Sequence, residues 1–466
     1  MKHCSLAAWF AAIAVFGACD EPAQDDCVSD VLAIEHATLL AMSTGSQPMA
    51  NTTVLVRDQR ITWIGPDDQA ELPRCTARVD ATGRWLLPGL VDAHVHVENP
   101  RMMRMLLQDD SIAETAINDA DPYLAYVANG VLQIGNLGAM SEAIGQRRAI
   151  EAGEVLGPHV MLAAMIDGEP PLWPIGFSRP AATPEAGRQA VRDVIAEGYD
   201  MVKVYSKLTL ETFTAVVDEA RSRGVQVVGH IPGRGTPIDP YFQPGYGMIA
   251  HAEELAFRAA DDSDAEVARM VALAAQNGTG LMSTLTVDLR ILEQTLDPSS
   301  LDRPEVQTLD PLLRRFWFDH NPYVGRNTPE RIAQLRGIVA FNDKVVRAFV
   351  AAGLPVLAGT DSLVPGVVPG TSLHDELAAL VSAGLTPYQA LDAATRVPMT
   401  WMGASEDRGT LEVGKRADML LLDGDPLSDI ANTRRIAGVV ASGRWLSRGE
   451  LDDRLAALAS RRNAAP

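Results

Sequence analysis

Apolar positions along the chain follow two patterns. After a polar, acidic stretch from Asp20 to Asp26, they come in short runs rich in β-formers: Val31-Leu-Ala-Ile34, Thr53-Val-Leu-Val56 and the alternating Arg60-Ile-Thr-Trp-Ile64. Turn formers separate these runs at Gly45, Asp58 and Gly65-Pro66. The same style returns in Asp418-Met-Leu-Leu-Leu422 and Gly438-Val-Val-Ala441. Both ends are therefore expected to form one small β-sandwich domain, over residues 28–87 and 403–446. A C-terminal helix and tail over 447–466 follow, the helix itself read over 447–462.

Between about residue 88 and residue 402, short apolar runs alternate with longer helical segments, as in parallel β/α units. Eight strands are expected: Leu90–His96, Val131–Gly135, Val160–Ala164, Met201–Tyr205, Val225–His230, Gly247–His251, Gly280–Leu285 and Pro355–Thr360. Helices are expected over Pro184–Glu197, Leu210–Arg223, Asp264–Gln276 and Pro329–Ala352, among others. Eight such units suit an α/β fold closed into a (β/α)8 barrel over 88–402. The alternative is a doubly wound sheet, but the glycine-rich turn of a dinucleotide site does not follow the first strands.

The first residues read as a targeting segment. Lys2 and His3 precede an apolar, uncharged run from Leu6 to Ala18, the length of a signal-peptide core and short for a membrane span. Phe16-Gly17-Ala18-Cys19 resembles a lipobox, which would make Cys19 the acylated mature N-terminus, ahead of a linker over 19–27. Phe16 departs from the usual aliphatic residue, so plain cleavage after Ala18 stands as the alternative. Either outcome implies export, with a periplasmic location and contact with a membrane only through the lipid anchor. In an oxidising compartment, Cys27 and Cys75 are the natural disulfide pair.

Composition narrows the partners. Of 466 residues, 47% are hydrophobic and 21% charged, the balance of a folded globular chain. The formal net charge of −20 repels phosphate backbones and argues against a nucleic-acid partner. A small-molecule substrate is expected, and a homo-oligomer is compatible with everything above.

The candidate chemistry lies at strand ends. Of nine histidines, four fall at the C-terminal ends of expected strands: His94 and His96 on the first, His230 on the fifth and His251 on the sixth. Those ends surround the active site of a barrel. His94 and His96 are two apart, so in a strand both face the same way. Neutral imidazole is a preferred ligand for zinc and similar ions. Asp361 ends the eighth strand, and Lys203 sits among apolar neighbours in the fourth, in Met201-Val-Lys203-Val-Tyr205. Burial lowers a lysine's pKa and favours the neutral amine. That amine can take up CO2 to give an anionic carbamate able to bridge two metals. Any one of these residues alone reads equally as structural. The conjunction of six metal-compatible side chains on strands 1, 1, 4, 5, 6 and 8 does not.

This arrangement resembles the amidohydrolase superfamily. The resemblance is carried by Leu87-Pro-Gly-Leu-Val-Asp-Ala-His-Val-His96, Gly153-Glu-Val-Leu-Gly-Pro158, Ala358-Gly-Thr-Asp361, His374-Asp-Glu-Leu377, Gly384-Leu-Thr-Pro387 and Gly414-Lys-Arg-Ala-Asp418, and runs from about residue 30 to 445. It is nearest to the binuclear imidazolonepropionase-like branch that includes bacterial prolidases. Carried over, it implies that His94, His96 and Asp361 bind one metal, His230 and His251 a second, and carboxylated Lys203 bridges them. The cofactors implied are two divalent ions, zinc foremost. The deaminase glutamate after the fifth strand is absent, since His230 is followed by Ile-Pro-Gly-Arg.

The resemblance implies an exported hydrolase of carbon–nitrogen bonds, cleaving dipeptides such as Xaa-Pro, or N-acyl amino acids, through a metal-bridging hydroxide with Asp361 as base. Lactone, carbamate or phosphoester hydrolysis on the same site is the first alternative, and a non-catalytic metal-holding lipoprotein the second. Tyr205 points the same way as Lys203 and is a candidate for holding a substrate carboxylate, or else a packed barrel aromatic. Arg234 is the other carboxylate candidate. The stretch from Met165 to Pro174, rich in proline and bulky groups, reads as a substrate-facing loop.

Overall fold

The computed structural model describes residues 30–464 apart from 115, 119 and 175. The expected leader, Cys19 and Cys27 lie outside the described residues. Cys75 is disulfide-bonded. Among the described residues, no helix is long and apolar enough to cross a membrane.

Five strands come first: β1 (Val31–Leu39), β2 (Met49–Arg57), β3 (Arg60–Pro66), β4 (Ala77–Asp80) and β5 (Trp85–Pro88). The central region supplies β6 (Leu90–Val95), β7 (Val131–Leu137), β8 (His159–Asp167), the short β9 (Ser178–Pro180), β10 (Met201–Val204), β11 (Gln226–Gly229), β12 (Tyr246–Ala250), β13 (Gly280–Met282) and β14 (Val356–Leu357). The chain ends with β15 (Met419–Leu422), β16 (Ile436–Ala441), β17 (Arg444–Ser447) and the helix Arg448–Ala464.

The two ends meet in one sheet of order β17-β16-β15-β5-β1-β2-β3, with β4 on β1. Alternation explains it: Val54 and Val56 turn into an apolar cluster with Ile34, Leu86, Met419 and Leu421. The central strands form the parallel order β14-β13-β12-β11-β10-β8-β7-β6. Closure between the first and last strand comes from Ala93 N–H to Ala358 O (3.0 Å) and Thr360 N–H to His94 O (3.1 Å). This is the expected eight-stranded barrel beside a small β domain. Val91, Ala93, Met201, Val228, Met248 and Leu357 fill its interior, joined by Met399 and Met402.

The outer helices follow local rules. Pro184–Glu197 starts with proline after Thr183, whose side chain accepts the Ala186 N–H, and stops at left-handed Gly198. It buries Ala190, Val191 and Val194. Two expected strands are much shorter than their sequence suggests: the eighth, expected over Pro355–Thr360, spans only Val356–Leu357, and the seventh also ends early. The seventh stops at Met282, and Leu285 opens the helix Leu285–Leu296. The reason is tertiary: buried Glu376 accepts the N–H groups of Leu285 and Thr286 and the hydroxyl of Ser283, so it satisfies the donors of a helix start.

Sheet and barrel are tied together through polar groups. His159 Nε2 lies 3.0 Å from Asp418 Oδ2, and Asp418 Oδ1 accepts the Ser442 N–H. His374 is also structural: its ring nitrogens meet Thr433 Oγ1 and the Asn129 carbonyl, away from the barrel mouth.

Candidate active site

The strands place six candidate side chains around one cavity of about 510 Å³ at the barrel mouth. His96, Lys203, His230, His251 and Asp361 line it, and fully buried His94 stands directly behind. Asp361 Oδ1 lies 3.3 Å from His94 Nε2 and 3.1 Å from His96 Nε2. One ligand atom from each of the three falls within 4.8 Å of the others. Ring centroids are 4.6 Å apart for His94 and His251 and 4.9 Å for His230 and His251. Lys203 is 1% exposed, and its Nζ lies 3.2 Å from His94 Nε2 and 3.2 Å from the Leu137 carbonyl.

Backbone geometry supports the cluster. His251, Thr284 and Asp361 take positive φ values of 76°, 45° and 55°, a region costly for non-glycine residues and frequent at functional sites. Gly359 is required here: a Cβ on it would meet His94 Cβ at 2.8 Å.

A surrounding layer orients the rings. Asp92 accepts from the N–H and hydroxyl of Thr360 and from the His94 N–H. Burial pushes the Asp92 carboxyl up to about 8 against these bonds. His230 Nδ1 lies 3.1 Å from Glu254 Oε1 and 3.3 Å from Ser206 Oγ. His251 Nδ1 lies 2.9 Å from Thr284 Oγ1. Both rings thus keep Nε2 for another partner. His94 Nδ1 and His96 Nδ1 are buried without a hydrogen-bond partner among the described residues.

Burial also sets the protonation states. It carries His94 well below its ordinary value, lowers His96, and lowers His251 to about 3, so these rings are neutral near pH 7. Burial lowers Lys203 to about 8. For Asp361 burial acts upward, but the rings of His94, His251 and His96 outweigh it and hold the carboxyl well below its usual range. Neutral imidazoles beside an ionised carboxylate form a donor set that fits a divalent cation.

The substrate-side candidates divide. The Tyr205 hydroxyl accepts from Trp173 Nε1 at 2.9 Å, and its ring centroid lies 4.2 Å from that of His230, the planes tilted by 43°. Arg234 lines the cavity with its guanidinium 3.8 Å over Phe257. Of the loop expected to face substrate, Met165 and Trp173 line the cavity, while Leu172 is exposed. Sequence reasoning missed Asp92, Thr284 and Glu254. Their partners are remote in the chain or their types are common, and only Asp92, two residues before His94, carried a local signal.

An eight-stranded barrel with a buried histidine–aspartate cluster at its mouth defines a hydrolase class, and the comparisons agree. The model of the Amidohydrolase family matches residues 85–446. This chain belongs to the amidohydrolase family and is a hydrolase. An uncharacterized protein of Mycobacterium tuberculosis is 27% identical over 379 residues, 78% of this chain and 86% of its own. Two solved structures share the fold. A bottromycin amidohydrolase has a TM-score of 0.71 at 23% identity, covering 93% of this chain and 91% of its own. A Xaa-Pro dipeptidase with bound methionine has a TM-score of 0.67 at 19% identity, covering 90% and 100%.

Proposed function

We propose that this chain hydrolyses amide bonds of small substrates, dipeptides such as Xaa-Pro or N-acyl amino acids, at a centre for two divalent ions. Lys203 carries the reading. It is buried against His94 with a pKa drawn down to about 8, and no carboxylate lies within ion-pair distance among the described residues. A buried cationic amine beside imidazoles is costly. As a carbamate the same side chain becomes an anionic ligand facing the ring cluster.

In this reading His94, His96 and Asp361 would hold one ion and His230 and His251 the other, with carboxylated Lys203 as a further anionic ligand. Bound there, two such ions, zinc foremost, would supply a water of lowered pKa and polarisation of a scissile carbonyl. Asp361 takes the proton of the attacking water and returns it to the nitrogen of the leaving amine, so amide and water become acid and amine. Glu254 and Thr284 fix the tilt of His230 and His251. Trp173 holds the Tyr205 hydroxyl at the cavity wall. The fold shared with a Xaa-Pro dipeptidase supports the substrate class at the level of architecture.

The test is hydrolysis of a library of dipeptides and N-acyl amino acids by zinc-loaded protein beside a chelated control. Metal-dependent cleavage of some members is expected. Two bound metals with no cleavage across the library would overturn the amide reading.

We also propose export, with processing at Cys19 or after Ala18 and a Cys27–Cys75 bond. Intact-mass analysis of the unreduced mature protein is expected to give a chain lacking residues 1–18 with Cys27 and Cys75 joined.

A further inference from the structure

Besides its histidines, the cavity is lined by three basic side chains, Lys203, Arg234 and Arg331. Two of them are engaged. Lys203 is buried against His94. Arg331 donates to Gln334 Oε1 at 2.9 Å and acts on the Asp288 carboxyl. Arg234 differs. Its guanidinium lies 3.8 Å over the Phe257 ring, and among the described residues it has neither a hydrogen bond nor an ion pair. Its five N–H donors stand at the cavity wall, placed there by an aromatic face.

The backbone that delivers Arg234 is fixed as well. Arg258, next to Phe257, donates to three successive carbonyls of the loop after β11: Ile231, Pro232 at 2.8 Å and Gly233 at 3.1 Å. The Gly233 N–H donates to the Ser206 carbonyl at 3.2 Å, and the Gly233 carbonyl also accepts from the Thr236 N–H and hydroxyl. Gly233 has a φ of 68°, and a Cβ on it would meet the Tyr241 hydroxyl at 2.4 Å. Arg258 thus sets the course of the loop, and Phe257 carries the guanidinium that the loop presents. A donor group held in this way has less freedom left to lose on binding. The nearby carboxylate, Glu254, is taken by His230 Nδ1 at 3.1 Å and the Ile231 N–H at 3.3 Å. Arg258 and Arg234 repel each other, so this side of the cavity favours an anion.

We propose that Arg234 is the specificity residue for a substrate carboxylate, which its guanidinium fork binds while Phe257 supports the other side. A planar fork suits a carboxylate, and a charge-assisted pair of this kind is stronger than a neutral hydrogen bond. Arg234 stands four residues beyond His230, so the carboxylate it binds lies beside the candidate metal ligands. The apolar remainder of the substrate meets the wall of Met102, Met105, Met165 and Phe177. The proposal rests on the amide-hydrolase reading only for which carboxylate is bound. There it is the free carboxylate on the amine half, common to dipeptides and N-acyl amino acids and absent from simple amides and esters. Arg234 then selects amides whose hydrolysis releases a free amino acid.

The experiment is calorimetric binding to the full, zinc-loaded chain at pH 7 of 2-benzylsuccinate and 4-phenylbutanoate. The first differs from the second by one added carboxylate, and neither contains a cleavable bond. Benzylsuccinate is expected to bind at least about 10-fold tighter, a difference reduced to under about 3-fold in Arg234→Gln. Arg234→Met gives the same readout should Arg234→Gln fail to fold. The preference is expected to persist in Arg331→Gln. Equal affinity of the two probes, a preference that survives loss of Arg234, or one abolished by Arg331→Gln would overturn the proposal. A preference that depends on Arg234, together with failure to cleave any dipeptide or N-acyl amino acid, would support this recognition site and count against the amide-hydrolase reading alone.

Discussion

Thr360 closes the barrel on Asp92. Its N–H and its hydroxyl donate to the two oxygens of that carboxyl at 2.9 and 2.7 Å, so the residue just before Asp361 is clamped to the residue two before His94. Positions 268 apart in sequence thereby set the distance between two candidate ligands. Thr360→Val removes the hydroxyl and keeps the shape. Metal affinity or activity is expected to fall about 10- to 100-fold, the usual effect of losing a ligand's supporting bond. Metal retained on dialysis against a graded chelator, beside an unchanged circular dichroism spectrum, checks it.

Lys203→Ala is expected to lose bound metal and to lower kcat by more than about 100-fold. Elemental analysis and turnover are the readouts. Short carboxylic acids such as propionate are expected to restore part of both, because they would place a carboxylate at the position proposed for the carbamate. A variant that keeps two metals and full turnover would refute the carbamate.

Glu254→Ala is expected to act on one metal position only. Glu254 Oε1 lies 3.1 Å from His230 Nδ1 and reaches none of the other candidate ligands by hydrogen bond, so His94, His96 and Asp361 keep their support. Titration with zinc is expected to give one tight and one weakened site, about 10- to 100-fold apart from wild type at the second.

Asp407 gives a stability prediction away from the site. It pairs with Arg60 at 2.9 Å, Arg416 at 3.0 Å and Arg408 at 3.1 Å, joining the β2–β3 hairpin to the C-terminal segment. Burial acts upward on its carboxyl, and the three guanidiniums outweigh that and lower it to about 2. A carboxyl depressed in the folded state stabilises above its unfolded value of about 4, and that contribution is lost as pH falls through about 2. The group is a third exposed, so solvent screening leaves about 1 kcal/mol. Asp407→Asn is expected to lower the urea midpoint accordingly at pH 7, with the gap from wild type closing below pH 4.

Much of the architecture was legible in the chain alone. Period-two apolar runs near both ends, eight β/α units between them, and proline after a threonine cap at Pro184 are local signals that any context respects. The six candidate ligands were legible for a related reason. Histidines, an aspartate and a lysine at the ends of apolar strands are chemically conspicuous, and the barrel's geometry turns all such ends toward one mouth. The boundary of the seventh strand was not. Gly280 to Leu285 looks extended until Glu376, 91 residues beyond Leu285, caps its N–H. The same holds for Glu254 on His230 and Thr360 on Asp92. Each is an ordinary polar residue whose role depends on a partner from another element and on burial. A chain's local pattern determines which face of an element turns inward; only closure of the barrel decides which side chains meet there and which lose water.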